Sequence, residues 1–207
     1  MHFIIDLFLH LDVHLADAIA QYGVWTYVLL FAIVYCETGL IVTPFLPGDS
    51  LLFAAGSLAA LGSFGLALLA GILIAAAFLG DVTNYSVGRF LGQRLFKGNS
   101  RFLKQENLDR THLFYEKHGS KALIMARFVP IIRTFAPFVA GIGRMRYARF
   151  LTFSILASLL WVSICVGSGF LFGNIPVVKR NFSVVILAII AISLIPTALA
   201  MLQSRRQ

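Results

Sequence analysis

Residues 127–137 read Arg127-Phe128-Val129-Pro130-Ile131-Ile132-Arg133-Thr134-Phe135-Ala136-Pro137, inside an apolar run at 122–143. Two prolines and two guanidiniums do not suit a plain spanning helix. Proline removes a backbone donor and clashes with the preceding turn, and a charge at membrane depth needs a partner or water. A counterpart lies upstream: Thr43-Pro44-Phe45-Leu46-Pro47-Gly48-Asp49-Ser50, followed by small, apolar residues 51–61. An apolar piece too short to span, placed behind a helix breaker, reads as a re-entrant hairpin. The expected hairpins cover 44–62 and 122–143. Arg144, Arg146 and Arg149 follow the second at once, which puts both of its ends on the cytoplasmic side.

Composition frames the same reading. The chain has 207 residues, 59% hydrophobic and 13% charged. Soluble domains average about 25% charged, so the bilayer is the expected solvent, and a single membrane domain over 1–207 is the natural count. No Lys or Arg precedes Arg89, and thirteen of the 17 fall between Arg89 and Arg149. Nucleic-acid binding is one reading of that excess. A cytoplasmic loop obeying the positive-inside rule is the simpler one, because apolar spans flank the basic stretch. Cys36 and Cys165 both lie in apolar runs and suggest neither a disulfide nor a metal site. The N-terminus has no basic n-region, so a cleaved signal peptide is not expected.

Outward from the two breakers, residues 1–22 read as an amphipathic interfacial helix. Asp6, His10, His14, Asp17 and Gln21 form one stripe, and Ile4, Phe8, Leu11, Leu15 and Ile19 another. The histidine stripe is more simply a solvated face than a metal site. Residues 24–42 are apolar except for Glu37 and long enough to span ~30 Å. Residues 64–88 form the next span, interrupted by Gly80 and Asp81. A polar cytoplasmic loop follows at 89–121, with a solvated helix at 101–118. Residues 150–172 and 182–203 are charge-free spans with Lys179 and Arg180 in the turn between them. The fold class is therefore an all-α polytopic membrane protein. It has about four full transmembrane helices and two opposed re-entrant helical hairpins, with both termini cytoplasmic. Two half-spans entering from opposite faces is the layout of inverted-repeat transporters, whose sites lie near the midplane.

Five charges lie at membrane depth: Glu37, Asp49, Asp81, Arg127 and Arg133. A central charge opposes insertion by about 2.5–3.5 kcal/mol, so these side chains must pair, face water, or both. The simplest arrangement sets Glu37 and Asp49 against Arg127 and Arg133 across the hairpin tips. Asp49 and Thr134 are placed to cap the half-helices behind them, and Ser50 is a further cap rather than a nucleophile. Salt bridges that only pin the hairpins are the rival account, and the preferred one for Asp81. A buried pair stabilises less than apolar packing does, which favours a working role for the other four. Pro44, Pro47, Gly48, Pro130, Pro137 and Gly141 are read as shaping the backbone.

Glu37, Pro44, Pro47-Gly48-Asp49, Gly80-Asp81, the stretch from Arg127 to Thr134, and Ala140-Gly141 together resemble the DedA family, also described by the SNARE-associated or VTT domain. The resemblance covers roughly residues 24–172. It implies a bacterial inner-membrane protein with two opposed re-entrant hairpins that moves lipid. Members are linked to recycling undecaprenyl phosphate or moving phosphatidylethanolamine, eukaryotic relatives scramble phospholipids, and many members depend on proton motive force. The family's essential acids match Glu37 and Asp49, and its essential arginines match Arg127 and Arg133.

Three functions compete. The first is a lipid translocase in which Arg127 and Arg133 bind a phosphate headgroup while Glu37 and Asp49 hold the arginines in the empty site. The second is a proton-coupled transporter of a small solute or cation with Glu37 and Asp49 as relay. The third is a non-transporting scaffold for membrane-protein assembly. No enzyme motif is present: there is no Gly-rich phosphate loop, no His-Glu-x-x-His and no nucleophile elbow. Neither a cofactor nor a metal is expected. The expected partner is a membrane lipid, with protons as a coupling ion and no nucleic acid. The sequence leaves the oligomeric state open.

Overall fold

In a computed structural model, the structure describes residues 17, 21–40, 48–95, 121–127, 130–173, 175, 176, 178, 184, 185 and 188. Pro44, Pro47, most of the expected N-terminal amphipathic helix, the helix at 101–118 and most of the span at 182–203 lie outside them. All regular structure among the described residues is helical. The elements are α1 (Trp25–Gly39), α2 (Gly48–Ala60), α3 (Leu66–Leu95), α4 (Lys121–Arg127), α5 (Pro130–Ile142) and α6 (Tyr147–Phe172).

Among the described residues two helices are long and apolar enough to cross a bilayer, over Leu66–Leu91 and Tyr147–Phe172, 26 residues each. At 1.5 Å per residue each segment reaches ~39 Å, beyond the ~30 Å hydrocarbon core. Only about a third of each apolar window is buried. Leu68, Leu79, Leu156, Ile164 and Leu171 are among the exposed side chains. A core helix of a soluble protein would hide these residues, whereas lipid accommodates them. The other four helices, of 7 to 15 residues, reach only ~10–23 Å.

Helical periodicity decides which side chains turn inward. On α1, Thr26, Leu30, Val34 and Glu37 are buried at spacings of four, four and three, while Trp25, Val28 and Leu29 are exposed. Glu37 thus ends an otherwise inward-facing stripe. On α3 the buried positions run Leu69, Leu73, Ala76, Ala77, Asp81, Asn84 and Tyr85. On α6 they run Phe150, Ser154, Ala157, Ser158, Trp161, Val162 and Val166. The polar residues keep the apolar register of their neighbours.

Several local expectations are revised. Helix α3 passes through Gly80 and Asp81 without interruption and continues to Leu95, into the stretch expected as loop. Gly80 instead permits close approach, since a Cβ there would overlap Thr38 Oγ1, and one on Gly39 would lie 3.3 Å from Gly80 Cα. Helix α5 begins at Pro130, whose fixed φ suits a first helical position. Thr134 is therefore inside the helix and does not cap it. Pro137 also lies within α5, where it supplies no N–H to the Arg133 carbonyl four residues back. Ser50 is buried inside α2, because that helix starts at Gly48. Arg144 adopts φ +53° just past α5. The Met145 N–H bonds the Ala140 carbonyl and the Arg144 N–H bonds that of Gly141, both at 3.1 Å, a Schellman closure with arginine where glycine is usual.

The chain divides into two compact units: Met1–Val34, Phe45–Ala76 and Leu159–Gln207 in the first, and Tyr35–Pro44 and Ala77–Ser158 in the second. In the first unit α2 is buried almost all round, from Ser50 to Ala59, and Tyr27 meets Phe64 edge-on at 5.0 Å. In the second unit the core joins Tyr85, Leu123, Ala126, Ala136, Ala140, Met145 and Phe150 from α3 to α6. Tyr85 and Phe150 stack at 4.2 Å. Helices α3 and α5 cross with their backbones nearly touching. A Cβ on Gly141 would overlap the Tyr85 carbonyl, and one on Gly88 that of Phe138. Small residues at such crossings are how helices pack where lipid is the solvent.

Candidate functional site

The second unit gathers four of the five membrane-depth charges into two ion pairs. Arg133, one turn into α5, donates through Nη2 to Glu37 Oε1 near the end of α1, with the side chains 8% and 0% exposed. Arg127, the last residue of α4, donates through Nη1 to Asp81 Oδ2 on α3, with both side chains 5% exposed. A guanidinium in the last turn of a helix also faces the negative end of the helix dipole. Arg127 closes α4 and Arg133 lies in the first turn of α5.

Asp81 thus holds the place opposite Arg127 that the sequence reading gave to Glu37 and Asp49 jointly. Its Oδ2 also accepts from Ser154 Oγ on α6 at 2.8 Å. Asp49 belongs to the first unit. It occupies the first turn of α2, where a carboxylate meets the positive end of the helix, and its Oδ1 accepts from Trp161 Nε1 at 2.7 Å. The spacing of Asp81 and Ser154 was legible only as membership of inward stripes, and Trp161 carried no signal beyond an indole N–H that needs a partner when buried.

The residue that sequence reasoning missed is Asn84. It is fully buried, and its Nδ2 donates to the Thr38 carbonyl at 3.1 Å and to the Thr134 carbonyl at 2.6 Å. Two carbonyl acceptors fix which end of the amide is nitrogen, since the oxygen cannot donate. Thr38 follows Glu37, and Thr134 follows Arg133. The amide therefore ties together the backbones that carry the first ion pair. Its Oδ1 makes no hydrogen bond in the structure. The available signal was a polar triplet, Asp81, Asn84 and Tyr85, at helical spacing in an apolar helix. Tyr35 and Thr83 add a 2.9 Å hydroxyl contact between α1 and α3.

The supporting residues that are described have local structural roles, Gly48 in the first unit and the others in the second. Gly141 lets α5 reach α3, Gly80 lets α1 reach α3, Thr134 is 1% exposed and offers its carbonyl to Asn84, and Gly48 opens α2. Chemically, the arrangement is a set of guanidinium forks held by carboxylates. A fork matches phosphate oxygens as well as it matches a carboxylate. Among the described residues no three His, Cys, Asp or Glu side chains gather as metal ligands, and Cys36 and Cys165 form no disulfide.

Comparison with known proteins places this chain in a family. The model of the VTT domain matches residues 46–171, more than half of the chain. Protein DedA of Escherichia coli K12 is 49% identical over 209 aligned residues, covering 100% of this chain and 95% of that protein. An uncharacterised membrane protein of Mycobacterium leprae is 43% identical over 169 residues, 81% of this chain and 76% of its own. The inner membrane protein YghB of E. coli K12 is 40% identical over 156 residues, 75% of this chain and 71% of its own. No solved structure matches the chain. With its matched domain, near full-length likeness to DedA and two apolar membrane-length helices, the chain belongs to the DedA family of VTT-domain membrane proteins.

Proposed function

We propose that the protein is a lipid translocase of the bacterial inner membrane that carries a phosphate headgroup, of a polyprenyl phosphate or a phospholipid, between leaflets. The observation that carries this reading is the pair of buried arginine–carboxylate bridges, Glu37–Arg133 and Asp81–Arg127. Buried ion pairs stabilise a fold poorly compared with apolar packing. Guanidiniums that exchange a carboxylate for a phosphate give them a use. In this reading Arg127 and Arg133 bind the headgroup. Glu37, together with Asp81, holds them in the empty site, and Asp49 serves as a further proton-linked acid. Protonation of a carboxylate weakens its bridge and frees the guanidinium, which is the proposed route to proton coupling. No bond of the lipid is made or broken, so the activity is transport rather than catalysis.

The proposed topology has four spans, both termini in the cytoplasm and two hairpins dipping from opposite faces. Supporting it, α2, α4 and α5 each reach no more than ~20 Å, α4 and α5 pack on each other, and α2 is buried almost all round, unlike a lipid-facing span.

The test is reconstitution into liposomes with a fluorescent lipid phosphate, following how much label becomes accessible to an external quencher. Translocation exposes the inner-leaflet pool, and Arg133→Ala reduces the rate at least tenfold. A wild-type rate in Arg133→Ala removes the phosphate role, and identical rates with and without a pH gradient remove proton coupling. Label that stays protected while a small solute moves assigns the site to solute transport instead.

A further inference from the structure

A second anion-facing feature lies away from the ion pairs, where α3 ends and α6 begins. Tyr85, Ser86, Arg89, Phe90 and Tyr147 line a groove of about 310 Å³. Its floor is rigid. The Tyr85 hydroxyl donates to the Met145 carbonyl at 2.5 Å and accepts from Arg89 Nη1 at 3.1 Å, while the Tyr85 ring stacks on Phe150. The guanidinium is thus held at the lip of the groove by a neutral partner. Among the described residues no carboxylate bridges it.

Among the described residues, Arg89 is the charged side chain in the lining and its charged neighbours along the start of α6 are basic. Arg144, Arg146 and Arg149 are exposed beside it in sequence, and the first turn of α6 has no acidic residue. Basic residues at a helix N-terminus add to the positive end of the dipole instead of offsetting it. Such a concentration favours a bound anion. The positive-inside rule accounts for its sign but not for a guanidinium fixed on a phenol between two exposed rings, with Phe90 54% and Tyr147 45% exposed. Phe90 lies in the last two turns of α3 and Tyr147 opens α6, so both rings sit at the ends of membrane-length helices. At such a level aromatic side chains meet headgroups. The volume is at the small end of ligand sites, ~300–1,000 Å³, which suits a headgroup whose chains remain outside.

We propose that this groove binds the phosphate headgroup of an anionic phospholipid. Arg89 forks the phosphate, Phe90 and Tyr147 flank the glycerol, and the acyl chains lie along the exposed apolar side of α3. The proposal does not rest on translocation, because its residues are separate from the Glu37–Arg133 and Asp81–Arg127 pairs.

Native mass spectrometry of the intact detergent-purified protein tests it, with phosphatidylglycerol, phosphatidylcholine and diacylglycerol as probes. The wild type is expected to bind one phosphatidylglycerol at least tenfold more tightly than diacylglycerol, with phosphatidylcholine between them. Arg89→Gln removes most of that preference at an unchanged melting temperature, whereas Arg89→Lys, which keeps the charge but not the fork, retains part of it. Arg149→Gln makes the same change in net charge outside the groove and leaves the preference in place. Equal affinities for phosphatidylglycerol and diacylglycerol overturn the proposal, and so does an equal loss in Arg149→Gln and Arg89→Gln, which assigns the effect to diffuse charge. The groove is read by the binding preference that Arg89 confers and translocation by the rate in Arg133→Ala, so failure of one reading leaves the other standing.

Discussion

The Asp81–Arg127 bridge allows a quantitative test of how the site is held. Both side chains are 5% exposed, and Ser154 donates to the same carboxylate oxygen that receives Arg127. Asp81→Asn keeps the size and an acceptor for Ser154 but removes the counter-charge. Arg127→Met keeps much of the length and removes the cation. In water-soluble proteins, breaking a buried pair costs about 3–5 kcal/mol because a charge is left uncompensated. In membranes the unfolded chain finds other partners, and polar couplings average only ~0.6 kcal/mol with a maximum near 1.7. Near-complete burial of both side chains places this pair at or above that maximum. The expected coupling is about 1.5–3 kcal/mol, a shift of roughly 10- to 150-fold in the unfolding equilibrium at 1.4 kcal/mol per tenfold. The assay is a double-mutant cycle in mixed micelles, with unfolding driven by increasing SDS fraction. The double variant should be more stable than the two single losses summed. Additivity within about 0.5 kcal/mol, the behaviour of independent sites, would refute the claim that these side chains hold each other.

Three further outcomes follow from the packing. Asn84→Leu removes donors to two carbonyls and should cost about 2 kcal/mol at ~1 kcal/mol per hydrogen bond, read as a lower unfolding midpoint; an unchanged midpoint would mean that the amide ties nothing together. Gly141→Ala places a methyl group into the Tyr85 carbonyl and should cost about 1–3 kcal/mol or more, measured as loss of the monodisperse folded fraction after solubilisation. Arg144→Gly relieves a left-handed residue and should raise stability by about 1 kcal/mol; a fall in midpoint would show that the arginine side chain contributes more than its backbone costs.

Much of this was legible in the sequence because charge in an apolar run is conspicuous and helical spacing is regular. Glu37 shares a face with Leu30 and Val34, so its inward orientation follows from counting, and the same holds for Asp81 in the stripe of Leu73 and Ala77. The chemical cast was therefore readable, but the pairing was not. Which carboxylate meets Arg127 depends on how α3, α4 and α6 cross, and no local pattern encodes that. Helix breaks were misjudged for a related reason. Pro130 and Pro137 both sit within α5, because a first-turn proline lacks only a donor that has no helical acceptor, and an interior one can be carried by neighbouring packing where helices share a membrane. Gly80 was read as an interruption, whereas its effect is on the neighbouring helix that it admits.

The position of Asn84 constrains any mechanism that moves Arg133. Its amide bonds the carbonyls of Thr38 and Thr134, the residues directly after Glu37 and Arg133, so the backbones of α1 and α5 are tied at the place where the ion pair bridges them. Two hydrogen bonds at ~1 kcal/mol each do not depend on the charge state of Glu37. Neutralising Glu37 weakens the side-chain bridge and leaves this tie in place. Release of the guanidinium is then a rotation about side-chain bonds rather than a separation of helices. Under the proposed function, the headgroup meets a fixed backbone frame with one movable cation, and the larger motion that carries it between leaflets must arise outside the α1–α5 crossing. If that is correct, a cysteine pair engineered between α1 and α5 next to Asn84 should cross-link without slowing transport. A cross-link there that halts transport would show that the crossing itself opens.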